Sequence, residues 1–305
     1  AGKVHHAPVI STTPGLELHT VVSSDATKVH ADLPLARVVP DLAAALRDPA
    51  IDLVVIATPN ETHAPLARMA LEQGRHVVVD KPFALSVEEA SGLVDQARAA
   101  GKLLAVYHNR RWDSGFLTAR RVIEAGELGD IVQFEMHFDR WRPQVRERWR
   151  EQGGPGSGVW YDLGAHLVDG ALVLFGKPDA VFADLAIQKP GGRAVDYFHV
   201  VLRYPRLRVI LHGTSYAARA GANFTIHGTR GSYVKPGADT QEAALVRRIM
   251  PGEPGFGVDP LDGELFVPSG DEIAADKVRN ELGCYPAFYA GVRDAIVSGA
   301  PNPVP

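Results

Sequence analysis

Four short runs constrain this chain more than anything else in it. Residues 18–22, 51–57, 76–79 and 103–107 are aliphatic and β-branched almost without interruption, not on alternate positions. Strands read this way when both of their faces are buried, as in a parallel sheet covered by helices. The stretches between them, 41–47, 62–73 and 87–100, carry apolar residues at helical spacing. Ser86 with Glu89 three residues later makes a capping-box start, and Gly74 and Gly101 stand where helices end. Alternation of this kind predicts an α/β, doubly wound parallel sheet of the Rossmann type.

After about Asp113 the pattern changes. Helical text from Phe116 to Ala125 gives way to strict alternation in Val132, Phe134, Met136 and Phe138, interleaved with Gln133, Glu135, His137 and Asp139. Further alternating strands are expected at about 196–204, 207–216 and 223–227. A sheet with one covered face and one less apolar face is consistent with antiparallel strands. The expected organisation is therefore residues 1–113 as a dinucleotide-binding domain and 114–305 as an α+β substrate and oligomerisation domain. Its large, mainly antiparallel open sheet offers a face for a homodimer or homotetramer.

Composition narrows the function. Among 305 residues, 32 Lys and Arg against 36 Asp and Glu give a net charge of −4, which argues against a nucleic-acid surface. No apolar run approaches the roughly 20 residues that span a bilayer, so no membrane partner is expected. One cysteine, Cys284, excludes an internal disulfide and a thiolate zinc site; with no signal-like amino terminus the expected location is a reducing cytoplasm. Cys284 reads better as a packing residue than as a reactive thiol. The chain opens at Ala1 without an initiator Met and stops at Pro305 just after a helical pattern, so it reads as trimmed.

Ligands of open parallel sheets bind at the carboxyl ends of the strands. About 20 residues beyond Gly2, where such folds contact the adenosine ribose, the first position after the apolar run is Ser23, and Asp25 is better placed to cap the next helix. Ser23 and Ser24 offer hydrogen bonds and Lys28 a charge for a 2′-phosphate, which favours NADP, with NAD possible; an ordinary polar turn is the rival reading. The other strand ends carry Thr58-Pro59-Asn60 with His63, Asp80-Lys81-Pro82, and His108 through Asp113. Each alone is explicable as a loop with capping residues. Together they converge on one crevice.

In the second half, a Gly-rich stretch from Gly153 to Gly158 leads into Trp160-Tyr161-Asp162-Leu163-Gly164-Ala165-His166. If helix begins near Val159, Asp162 and His166 share a face one turn apart. A metal held by Asp162, His166 and Asp169 is a disfavoured alternative, since the His-Glu-x-x-His pattern is missing, and no metal is expected. A half-buried histidine satisfied by a neighbouring acid is an equally good reading of this segment alone.

Asp80-Lys81-Pro82 after a strand, followed some 80 residues later by Asp162-Leu163-Gly164-Ala165-His166, with Thr58-Pro59-Asn60 and His63, resembles the Gfo/Idh/MocA family of oxidoreductases over essentially the whole chain. The text from His108 to Asp113 and from Gly153 to Tyr161 is most similar to a bacterial subgroup containing NADP-dependent scyllo-inositol dehydrogenases. The resemblance implies a hydride transfer between a secondary alcohol of a polyol or sugar and NADP(H) or NAD(H). It implies that Lys81 lies beside the nicotinamide with Asp162 and His166 completing the catalytic set. It further implies that Asp80 contacts the cofactor, that Thr58, Pro59 and Asn60 line its path, and that the Lys81–Pro82 bond is cis.

Arg111, Trp112 and Tyr161 are weaker candidates for the substrate wall. One departure stands out: the family's first strand and the first two glycines of its G-x-G-x-x-G loop are absent, Gly2 being only the third. Either residues precede Ala1 in the native protein or this chain binds cofactor poorly, because neighbouring strands would expose unpaired backbone and the pyrophosphate cradle would be lost.

A free lysine titrates near 10.4 and a free histidine near 6.5. Near neutrality, then, Lys81 is the cation and His166 the proton exchanger, a base in oxidation and an acid in reduction. Lys81 stabilises alkoxide character, and Asp162 orients His166 and accepts from an adjacent substrate hydroxyl. The rivals are a non-catalytic dinucleotide-binding sensor on the same scaffold, disfavoured because both Lys81 and His166 are kept, and a reductase of a non-sugar substrate such as an imine or bilin-like compound.

Overall fold

A computed structural model describes all residues, 1–305. The chain forms two compact units. The first comprises residues 1–108, 244–253 and 285–305, and the second residues 109–243 and 254–284.

In the first unit, the strands are β1 (Thr20–Val22), β2 (Arg37–Val39), β3 (Leu53–Ile56), β4 (His76–Val79) and β5 (Leu104–Val106). All pairings are parallel, but they form two separate sheets, β1–β2 and β3–β4–β5. No strand of this chain joins β1 to β3. The helix α1 (Ala7–Thr12) precedes β1, and α2 (Ala26–His30), α3 (Leu42–Leu46), α4 (His63–Glu72) and α5 (Val87–Ala100) fall between successive strands.

The expected caps form. Asp25 accepts from the Lys28 N–H at 2.9 Å. Ser86 accepts from the Glu89 N–H at 3.1 Å, while Glu89 reaches back to the Leu85 N–H at 3.1 Å. Gly101 ends α5 in the left-handed conformation. Val77, Val78 and Val79 are fully buried, in keeping with their unbroken apolar text. Ala64, Ala67, Ala70 and Leu71 of α4 and Leu93 and Ala97 of α5 share a core with Val77 and Val79. β2 escapes the sequence reading because three residues are too few to establish a period.

The second unit is built on α6 (Ser114–Glu124), β6 (Ile131–His137), α7 (Ala165–Phe175) and β7 (Ala180–Ala186), then β8 (Tyr197–Arg203), β9 (Arg208–Thr214), β10 (Ala222–Gly228) and β11 (Ser232–Pro236), then β12 (Gly263–Ser269) and β13 (Glu272–Val278). These eight strands make one open sheet in the order β13-β12-β11-β10-β6-β9-β8-β7. Every pair is antiparallel except β6–β9, which is parallel. One face carries Phe134, Met136, Phe198, Val200, Val209, Leu211, Phe224 and Ile226, all buried in a core with Phe116 and Ala119 of α6 and Leu167 and Ala171 of α7. Burial of that face is the main stabilising term for the unit.

The short helix at 241–246 straddles the two units. The C-terminal helix, Pro286–Ser298, belongs with the first: Tyr289 is fully buried and its hydroxyl meets His6 Nδ1 at 2.6 Å. Cys284 is half-buried, with its backbone N–H donating to the Trp112 carbonyl at 3.0 Å.

Candidate active site

In the first unit the polar residues follow directly on the parallel strands. After β1, Ser23 donates its backbone N–H to the Val39 carbonyl and accepts from the Asp25 N–H on its hydroxyl. Ser24 and Lys28 are exposed beside it. After β3, Thr58 and Pro59 are exposed and Asn60 is buried. His63, 1% exposed, sets Nδ1 2.8 Å from the Pro82 carbonyl and Nε2 3.0 Å from the Thr58 carbonyl. That ring ties the loop after β3 to the loop after β4.

After β4 come Asp80, Lys81 and Pro82, and the Lys81–Pro82 bond is cis, as the resemblance implied. Asp80 accepts from the Lys81 N–H at 2.8 Å, and its other oxygen stands 3.7 Å from His6 Nε2. Burial opposes ionisation of this carboxyl. The His6 ring, the Lys81 charge and the Lys81 N–H outweigh it and hold the pKa well below the usual carboxylate range. His6 in turn is held by Tyr289, so a chain of contacts runs from the C-terminal helix to the residue preceding Lys81. Sequence reasoning missed His6 and Tyr289, 283 positions apart.

A carboxyl whose folded pKa lies below its unfolded one contributes stability above the unfolded value, and this contribution fades as pH falls toward the folded value. Asp80→Asn is therefore expected to lower stability to urea at pH 7 by about 1–3 kcal/mol. The difference from wild type should narrow below about pH 3.9. A difference that stays constant well below that pH would assign it to packing instead of charge.

In the second unit, the Gly-rich stretch exists because the backbone turns against a neighbouring segment. Gly158 has φ +87°, and a Cβ there would lie 2.7 Å from the Val195 carbonyl oxygen. Residues Trp160–Gly164 then form a π-helical turn before α7, so the helix expected near Val159 starts in a widened form, a feature common at functional sites. Gly164 is required beneath Trp160, whose ring atom would be 2.3 Å from an added Cβ. Asp162 and Tyr161 are half-buried, and Asp162 pairs with Arg150 at 3.4 Å. His166 lies in the first turn of α7 at 6% exposure.

Asp169 is held by Arg111 through two bonds, at 2.8 and 2.6 Å. With that carboxylate committed to a guanidinium, the alternative of a metal on Asp162, His166 and Asp169 loses a ligand. Trp112 is half-buried, its carbonyl also accepting from Gln241 Nε2 at 3.0 Å. Gly2 begins a π-helical turn that leads into α1.

Comparison with known proteins bears on the chemistry of these groups. Residues 1–108 match the oxidoreductase family, NAD-binding Rossmann fold, and residues 120–304 match the oxidoreductase family, C-terminal alpha/beta domain, both of the Gfo/Idh/MocA group. The oxidoreductase YdgJ of Escherichia coli is 52% identical over all of this chain and 88% of its own length. The NADP+-dependent scyllo-inositol 2-dehydrogenase of Bacillus subtilis is 37% identical over all of this chain and 86% of its own. A solved oxidoreductase from Yersinia pestis superposes with a TM-score of 0.96 at 52% identity, covering all of this chain and 86% of that one. A Rossmann-type unit with the Asp80-Lys81-Pro82 strand end, and a large open sheet after it, are thus the two halves of an NAD(P)-dependent oxidoreductase, and the chain belongs to the Gfo/Idh/MocA family.

Proposed function

We propose that this oxidoreductase transfers hydride between a secondary alcohol of a polyol or sugar, of the inositol class, and NADP(H). The observation that carries the reading is the joint presence of Asp80-Lys81-Pro82 and Asp162-Leu163-Gly164-Ala165-His166 in a chain 37% identical, over its whole length, to a relative named for NADP+ and scyllo-inositol.

The donor set suits the cofactor. Hydroxyls at Ser23 and Ser24, an exposed ammonium at Lys28, and Thr58, Pro59, Asn60 and Asp80 all follow the carboxyl ends of parallel strands, where such folds hold dinucleotides. Gly2 gives backbone for the pyrophosphate end, and His63 braces two of these loops. Bound there, the dinucleotide would supply the hydride acceptor in oxidation and the hydride donor in reduction.

The protein supplies the rest. As the substrate hydroxyl loses its proton, negative charge grows on the oxygen, and the Lys81 ammonium stabilises it. His166 takes that proton in oxidation and returns it in reduction. Asp162 accepts a hydrogen bond from a neighbouring hydroxyl and orients the imidazole. Arg111, Trp112 and Tyr161 contribute to the substrate wall, Arg111 with its charge balanced by Asp169.

A panel of inositols and aldoses, read by NADPH or NADH absorbance, tests the substrate class. Turnover confined to imines or other compounds without a secondary alcohol would overturn it. For the cofactor, Lys28→Ala is expected to raise KM for NADP+ about fivefold, the worth of one exposed, screened charge contact, and to leave KM for NAD+ unchanged. An equal change in both would remove Lys28 from 2′-phosphate recognition.

Assembly as a homodimer or homotetramer through the open sheet is part of the same reading. Edge strand β7 exposes Val181, Phe182 and Leu185 at 61, 63 and 42%, apolar surface that an isolated edge seldom leaves to water. Light scattering should report more than one chain per particle, and Phe182→Asp should shift the particle toward a single chain.

A further inference from the structure

We propose that the uncovered face of the large sheet holds a binding site for one divalent first-row transition metal ion, with zinc as its natural probe, on His137, Asp139 and His212. The site belongs wholly to the second unit and does not depend on the dehydrogenase reading.

Register creates it. His137 on β6 pairs with His212 on β9, and His212 pairs with His199 on β8. Side chains alternate along a strand, and Met136, Leu211 and Val200 are buried on the helix-covered face, so the three histidines form one row on the opposite face. Glu135 and Asp139, two positions either side of His137, share that face. The chain past β6 stays anchored beside β9, with the Phe138 N–H donating to the His212 carbonyl and the Arg140 N–H to the Thr214 carbonyl.

The distances suit an ion better than they suit hydrogen bonds. Asp139 places one oxygen 3.5 Å from His137 Nδ1 and the other 3.6 Å from His212 Nε2. One ligand atom from each residue can be chosen so that all lie within 4.8 Å of one another. Two ligands bound at about 2.0–2.1 Å to a tetrahedral zinc stand roughly 3.3 Å apart, close to these separations. Asp139 Oδ1 is buried and has no hydrogen-bond partner, a costly state for a carboxylate oxygen unless a cation serves it.

The remaining ring nitrogens are already oriented. His137 Nε2 meets Glu135 Oε2 at 2.9 Å, and His212 Nδ1 meets His199 Nδ1 at 3.4 Å. Metal-bound histidines are usually fixed in this way, through the nitrogen that does not bind the ion. Two imidazoles and a carboxylate select first-row transition ions over magnesium or calcium, and three protein ligands leave a coordination position open.

The experiment uses the full chain, freed of metal by a chelator and titrated with zinc by calorimetry and with cobalt by visible absorption. About one ion per chain is expected, with a cobalt d–d band and a rise in Tm on adding zinc. His212→Ala and Asp139→Asn should abolish stoichiometric uptake, and Glu135→Gln should weaken it about 10–100-fold. His227→Ala, on the same face but outside the set, and His166→Ala should bind as wild type does. Asp139→Asn preserves shape and keeps the test decisive if His212→Ala does not fold. No stoichiometric uptake by the wild-type chain, or uptake that persists in Asp139→Asn, would overturn the proposal.

Discussion

Lys81→Ala is expected to lower kcat by about 10²–10³ with a much smaller change in dinucleotide affinity, because it removes a cation needed chiefly when negative charge develops on the substrate oxygen. The position makes the effect specific. Lys81 follows the buried end of β4, its N–H is held by Asp80, and Asp80 is kept anionic by His6 and by Lys81 itself. On the proposed mechanism, an ammonium on so constrained a backbone would already be in place when the alkoxide forms. Steady-state kinetics would show kcat and kcat/KM for the alcohol falling together, the mark of an interaction realised in the transition state. Turnover within a few-fold of wild type would remove Lys81 from the mechanism.

His166→Ala should cost about 10²–10⁴ in kcat, the usual worth of a positioned general acid–base. The diagnostic readout is the pH profile. If His166 carries the proton, the limb of the kcat/KM profile that reports the catalytic base disappears in the variant, and added imidazole restores part of the rate. A merely structural histidine would lower activity without altering the profile or responding to imidazole. Because Lys81 and His166 are assigned to one proton and hydride transfer, the double variant should lose much less than the product of the single losses. Full multiplicativity would show that they serve separate steps.

Much of the architecture was legible because its causes are local. The unbroken valines of 76–79 could be accommodated only in a strand buried on both faces, and Ser86 with Glu89 marked the start of α5 three residues at a time. The alternation of Phe134 and Met136 with Glu135 and His137 gave both faces of β6. Legibility failed where the period was weak. β7 and β13 are edge strands exposed along nearly their whole length, so neither face imposes an apolar alternation. β11 and β12 are short or interrupted, and their place in the sheet follows from pairing with distant partners.

The candidate site divides along the same line. Asp80, Lys81, Asp162 and His166 were readable as candidates for charge and proton chemistry at strand and helix ends. The His6 and Tyr289 contacts behind Asp80, the Arg111–Asp169 pair and the π-helical turn under Trp160 were not. Nor was the histidine row of β6, β9 and β8, whose members are ordinary alternating positions until register aligns them.

The sequence by itself determined which segments are strands or helices wherever 2- or 3.6-residue periodicity and capping chemistry act within a few residues, and which side chains can carry a proton or a charge. Only the tertiary structure decided which of those side chains share an environment. Register, burial and ion pairing join groups separated by tens to hundreds of residues, and no local pattern encodes that separation.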